Sequence, residues 1–90
     1  NTDTEVTYRV TALIRPTHQK EMLPWLEQKL EQANYPLSEL DIEPFGDQDI
    51  EISAVLLATS IDGDELDALM KTLGEHPRIK QIFWRASTTD

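Results

Sequence analysis

Four carboxylates crowd one short stretch, Asp62, Asp64, Glu65 and Asp67, and three more stand at Asp47, Asp49 and Glu51. Hard divalent cations such as Mg²⁺ want several oxygen ligands from one loop, so these clusters are the first places to look for metal chemistry. Their spacing lacks the alternating ligands, the glycine turn and the distal bidentate glutamate of a calcium loop. Both groups also have structural readings. Carboxylates are favoured at a helix N-terminus by its dipole, while Asp47, Asp49 and Glu51 suit a turn leading into the solvent side of a strand. Asp62, Asp64, Glu65 and Asp67 therefore stand as weak metal candidates, and no cofactor is expected.

His18 and His76 are the only histidines, and no His-x₃-His or His–carboxylate spacing links them. His76, followed by Pro77 at the end of a helical pattern, suits the negative end of the helix dipole better than the role of a base. Ser38, Ser53, Ser60 and Ser87 lie in no nucleophile-elbow context, and three glycines leave no phosphate-cradling loop. The absence of cysteine removes disulfides, thiolate nucleophiles and zinc knuckles. No catalytic residue is assigned, and the domain is expected not to be an enzyme.

The elements that carry these side chains follow from the periodicities. Glu5 to Ile14 alternates, with Val6, Tyr8, Val10, Ala12 and Ile14 on one face and Thr7, Arg9, Thr11 and Leu13 on the other, as a half-buried strand does. Met22, Leu26, Leu30 and Ala33, with Trp25 beside them, recur at helical spacing up to Asn34. Pro24 lies inside that pattern, so the helix either kinks there or starts later than Thr17. Tyr35-Pro36 stops it. Leu37 to Phe45 is a weaker strand whose Pro44 marks an edge, and Gly46-Asp47-Gln48-Asp49 turns the chain into a strand through Ile50, Ile52, Ala54, Leu56 and Ala58. Asp62 and Glu65 form a capping box for a second helix with Leu66, Leu69, Met70 and Leu73 buried. Ile79 to Ala86 is the last strand, with Ile82 and Trp84 opposite Phe83, and the polar tail from Ser87 to Asp90 is expected to fray.

The order β-α-β-β-α-β predicts an α+β ferredoxin-like or ACT-like plait: a four-stranded antiparallel sheet of order 4-1-3-2 with both helices on one face. A chain of 90 residues makes one domain and hides roughly 64% of its extended surface on folding. Residues 1–45 hold 4 basic and 8 acidic side chains and residues 46–90 hold 4 and 9, giving a net charge of −9 spread evenly. Nucleic acid and anionic lipid are therefore disfavoured as ligands. Outward positions on the sheet carry no aromatic stacking platform of the kind an RNA-binding plait uses. They do carry Leu13, Val55, Leu57 and Phe83, on the face opposite the helices. Exposed apolar groups on neighbouring strands suggest a contact surface, against the plainer alternatives of scattered surface hydrophobes or a one-residue register slip.

From Tyr8-Arg9-Val10 to Trp84 the chain resembles the carboxy-terminal domain of the MgtC/SapB family of bacterial inner-membrane proteins. The stretches that carry the resemblance are Asp49-Ile50-Glu51-Ile52-Ser53-Ala54, Leu66-Asp67-Ala68-Leu69-Met70-Lys71-Thr72-Leu73 and Pro77-Arg78-Ile79-Lys80-Gln81-Ile82-Phe83-Trp84. The last is similar to the family's habitual ending of proline, x, aliphatic, two x, aliphatic, x, tryptophan. The resemblance implies an amino-terminal bundle of membrane helices outside this sequence, a domain facing the cytoplasm, and a link to growth in low magnesium and to magnesium transport. Transport itself is not something a domain of this size performs. The connection Arg15-Pro16-Thr17-His18 departs from amino-acid-binding ACT domains, whose corresponding turn contains glycine.

The chain starts at Asn1 rather than methionine, which fits a fragment of a longer protein. No apolar run approaches spanning length and no signal peptide is visible. The expected function is that of a non-catalytic cytoplasmic regulatory or interaction domain of an MgtC-family membrane protein. Its expected partners are its own membrane part, another membrane protein, or a second copy through the open sheet face. A ligand-sensing domain for Mg²⁺ or an amino acid is the alternative.

Overall fold

The computed structural model describes residues 5–89. Alternation in the first segment becomes β1, Glu5–Ile14, followed by a 3₁₀ turn over Pro16–His18 and then α1, Gln19–Gln32. The strands β2, Leu37–Phe45, and β3, Asp49–Leu56, form a hairpin; α2 spans Gly63–Gly74 and β4 spans Gln81–Thr89. Every strand pair is antiparallel and the order across the sheet is β2-β3-β1-β4, which is the expected plait.

Both helices pack on the face made by the even-numbered residues of β1 and β3. Val10, Ala12 and Ile14 meet Ile50, Ile52, Ala54 and Leu56 there, beneath Met22, Leu26 and Leu30 of α1 and Leu66, Met70 and Leu73 of α2. A bulge between Leu37 and Glu39 changes the parity of β2, so Leu37 and Leu40 both pack against the core although they are three positions apart. Pro44 is tolerated because β2 is an edge strand.

The ends of α1 explain what periodicity alone left open. Arg15-Pro16 begins a 3₁₀ turn, so the α-helix starts at Gln19, and Pro24 sits in its second turn, exposed to solvent. At the other end Asn34 takes a left-handed φ of 67°. The amide of Asn34 donates to the Glu31 carbonyl at 3.0 Å and that of Tyr35 to the Leu30 carbonyl at 2.8 Å, a Schellman closure. This closure turns the Tyr35 ring into the core.

Two expectations at the carboxy end are corrected. Ile79 is not in the last strand: it is buried in the approach to it, and the Lys80 amide then donates to the Leu13 carbonyl at 2.9 Å. The tail does not fray after Ala86, because Ser87, Thr88 and Thr89 pair with Thr7, Val6 and Glu5 of β1. Backbone pairing along a long neighbouring strand outweighs the polar composition that suggested a loose end. Asp90 lies outside the described residues.

Candidate functional site

The acidic cluster at the start of α2 is divided among separate structural tasks. Asp62 is the N-cap, its Oδ1 accepting from the amides of Asp64 at 3.0 Å and Glu65 at 3.2 Å. The reciprocal half of a capping box is replaced by Tyr35: the Asp62 amide lies 3.5 Å from the Tyr35 hydroxyl, which also bonds the Glu65 carboxylate. That hydrogen bond, and then burial, raise the Tyr35 pKa above the ordinary phenol value. Asp67 takes a hydrogen bond from the Trp84 indole at 2.7 Å, tying α2 to β4. No group of three acidic or imidazole side chains gathers at metal-holding distance among the described residues.

Asp49 likewise serves the fold, pairing with Lys80 at 2.8 Å and reaching Arg15 at 4.0 Å. His76 stands one residue past the C-cap of α2. Its Nδ1 accepts from the Arg78 amide at 3.0 Å, and its ring packs edge-on to Trp25 with centroids 4.7 Å apart. An ion pair between Glu21 and Arg78 runs alongside, so this corner locks α1 to the loop before β4. His18 lies in the 3₁₀ turn ahead of α1.

The face of the sheet away from the helices is different in kind. No element among the described residues covers it, and the odd-numbered residues of β1, β3 and β4 stand on it with Glu39, Asp41, Glu43 and Phe45 of β2. The pairing register orders them into rows across the sheet. Glu39, Val55, Arg9 and Arg85 form one row; Asp41, Ser53, Thr11 and Phe83 form the next; Glu43, Glu51, Leu13 and Gln81 form the third.

All four residues expected to make a contact surface, Leu13, Val55, Leu57 and Phe83, fall on this face. They do not form one continuous apolar patch. Leu13 and Phe83 sit diagonally on β1 and β4, Val55 and Leu57 lie at and just past the end of β3, and Thr11 and Ser53 separate the two pairs. Leu57 is 63% exposed, whereas Leu13, Val55 and Phe83 are half-buried by their neighbours. Thr11, in the middle, is only 2% exposed.

Charge organises the face more clearly than apolarity does. Arg9 and Arg85 are direct cross-strand partners, and so are Glu43 and Glu51. Like charges directly opposite on one face repel. Among the described residues none of Arg9, Arg85, Glu39, Asp41, Glu43 and Glu51 makes an ion pair. The Arg85 guanidinium rests instead 5.5 Å from the centre of the Phe83 ring. A shallow depression of about 340 Å³ lies between the two charge groups, with Arg9, Arg85 and Ser87 on one side and Asp41, Glu43, Glu51 and Ser53 on the other. Reading the sequence for apolar residues missed these charges. The alternation Glu39, Asp41, Glu43 was visible, but its place beside Glu51 and across from two arginines depends on the strand register.

No helix among the described residues is long and apolar enough to cross a membrane. Comparison with solved structures finds the same fold in the C-terminal domain of the MgtC protein from Mycobacterium tuberculosis, a solution structure. That domain is 23% identical, with 92% of this chain and 88% of that chain covered at a TM-score of 0.75. A protein from Thermus thermophilus described as PII-like and signaling matches at 10% identity, with 97% and 90% coverage and a TM-score of 0.51. No curated protein sequence matches the chain significantly. The family described as MGTC/SAPB C-terminal domain matches residues 8–84, from the middle of β1 to Trp84, and the chain belongs to that family.

Proposed function

We propose that this chain is a non-catalytic regulatory interaction domain of an MgtC-family membrane protein, held on the cytoplasmic side of the bacterial inner membrane and working through its open sheet face. The observation that carries this reading is the state of that face. It keeps four apolar side chains and six charges without ion-pair partners among the described residues, while the opposite face is sealed by both helices. Surfaces of mixed apolar and charged groups favour protein partners over lipid or nucleic acid, and the net charge of −9 works in the same direction.

Catalysis has no support in the arrangement of side chains. His76 is held by the Arg78 amide and the Trp25 ring, and the carboxylates of α2 hold a helix cap and an indole. The link to magnesium homeostasis comes from the family and is placed here at the level of the parent protein. One observation favours a second reading, a sensor of an amino acid: the depression on the open face sets arginines against carboxylates, as a zwitterion requires.

In cells, a photo-crosslinking residue at position 55 of the parent protein tests the docking reading against the same probe at position 28, on the exposed side of α1. Adducts to another polypeptide segment from position 55 alone are expected. Equal adducts from both positions, or adducts from position 28 alone, overturn it. Saturable NMR shifts around Arg9 and Asp41 with a free amino acid would select the sensor reading instead.

A further inference from the structure

We propose that the outer edge of β4 takes up an extended segment of a different polypeptide as a fifth strand, one that carries an acidic side chain opposite Arg85. This goes beyond the docking role of the open face, because strand addition draws on backbone groups at the rim of the sheet.

The two rims are built differently. A sheet edge presents unpaired N–H and C=O groups, and stable proteins blunt such edges with proline, bulges, charges or short strands. On β2 three of these devices occur together: Pro44, the bulge between Leu37 and Glu39, and the charges of Glu39, Asp41 and Glu43. On β4 there is no proline, and the register with β1 runs unbroken from Gln81 to Thr89. Ile82, Phe83, Trp84 and Thr88 favour extended backbone, and Arg85 is the strand's one charge. No strand among the described residues pairs with its outer side. In an antiparallel ladder about half of an edge strand's backbone groups point away from its neighbour, so β4 offers a continuous row of donors and acceptors.

The side chains of β4 define what the added strand must carry. Ile82 and Trp84 are half-buried against the core on the helix side, an apolar floor for apolar residues of the incoming segment. On the other side Arg85 is exposed, makes no ion pair among the described residues, and has Arg9 as its direct partner on β1. A carboxylate on its outer flank would face it at cross-strand distance, where opposite charges attract. The acids of the open face do not compete for it. They stand on β3 and β2, about 10 and 14 Å across the sheet from β4, farther than the roughly 8 Å screening length at physiological salt.

A second copy of the chain suits this edge poorly. Arg85 is the midpoint of β4, so two β4 strands fully paired about a two-fold axis would set Arg85 against Arg85. The β2 strand of another copy brings carboxylates, but its proline and bulge interrupt the pairing.

Residue-resolved NMR of the 90-residue chain, titrated with a synthetic probe at fixed salt, tests the proposal. The probe is an acetylated and amidated peptide as long as β4, alternating threonine with valine and carrying glutamate at its centre; a matched probe carries lysine there. At millimolar concentration the glutamate probe should give saturable shifts centred on the amides of Gln81 to Thr89, with those of Leu37 to Phe45 unmoved. The lysine probe should bind about fivefold more weakly. Arg85→Gln, at an exposed side chain and checked for folding by circular dichroism, should make the two probes equal. A probe N-methylated along both edges has no amide donors and should not bind, whereas a contact made by side chains alone would survive. No saturable shift along β4, equal shifts along β2, two probes that bind the wild type alike, or binding that survives N-methylation overturns the proposal. So do β4 shifts that follow the concentration of the chain alone, which would place a second copy on the edge.

Discussion

Replacing Asp62 separates a helix cap from a metal ligand. Its carboxylate accepts from two first-turn amides of α2, at 3.0 and 3.2 Å, which Asp62→Ala leaves to water. Loss of such a cap costs about 1 kcal/mol, and loss of its charge at the positive end of the helix dipole adds about 0.3–1 kcal/mol. Asp64 and Glu65 stay in the first turn and keep part of the dipole effect, so the lower half of that range applies. For a domain of this size each kcal/mol moves the melting temperature by about 4–8 °C. Asp62→Ala should therefore melt about 5–13 °C below the wild type. Asp62→Asn keeps the accepting oxygen and should lose only a few degrees. The assay is thermal unfolding followed by circular dichroism, repeated with Mg²⁺ and with sodium salt at matched ionic strength. A ligand present at about 100 times its Kd stabilises by about 2.7 kcal/mol, so a Mg²⁺ site built on Asp62 would raise the wild-type melting temperature by about 10–20 °C and the Asn variant by far less. The capping account expects equal responses to the two salts in all three proteins. A large Mg²⁺-specific rise confined to the wild type refutes it.

Four further outcomes are expected. Tyr35→Phe removes the hydroxyl that bonds Glu65 and should cost about 1 kcal/mol at neutral pH in urea unfolding. Because the folded Tyr35 pKa lies above its unfolded value, the folded state holds that proton more tightly; the stability from this group is complete below about pH 10 and is lost as pH rises through the folded value, so the Phe variant should lack that alkaline component. Leu26→Ala, at a side chain 1% exposed beneath α1, should cost about 3 kcal/mol by the same measurement. Gly46→Ala adds a methyl group that meets nothing within 4 Å but must adopt φ near 64°, so it should cost about 1 kcal/mol from the backbone alone. Pro24→Ala restores an amide in the second turn of α1 and should raise the melting temperature.

The fold was legible because its signals are local and repeated. Alternation in β1 and β3, the helical spacing of Met22, Leu26 and Leu30, and Asp62 before α2 each prescribe one element, and the plait is the arrangement that buries them together. What local pattern could not supply was pairing. Ser87 to Thr89 look like a tail until β1 is known to extend opposite them. The bulge after Leu37, the Schellman turn at Asn34 and the Tyr35–Glu65 contact likewise depend on tertiary partners. The candidate site shows the same division. Leu13, Val55, Leu57 and Phe83 were assigned to the correct face by parity, but the segregation of Arg9 and Arg85 from Glu39, Asp41, Glu43 and Glu51 appears only when residues far apart in sequence are set in register.

The central claim is that the open sheet face, and not the acidic start of α2, is where this domain meets its partner. Photo-crosslinking in cells from position 55 against position 28, joined with residue-resolved NMR of the chain under added Mg²⁺ at constant ionic strength, tests this most directly. The account predicts adducts to another polypeptide segment from position 55 alone, with no saturable response to Mg²⁺ at Asp62, Asp64, Glu65 or Asp67. Adducts from position 28 alone or equally from both positions, together with saturable Mg²⁺ shifts confined to those four carboxylates, would contradict it.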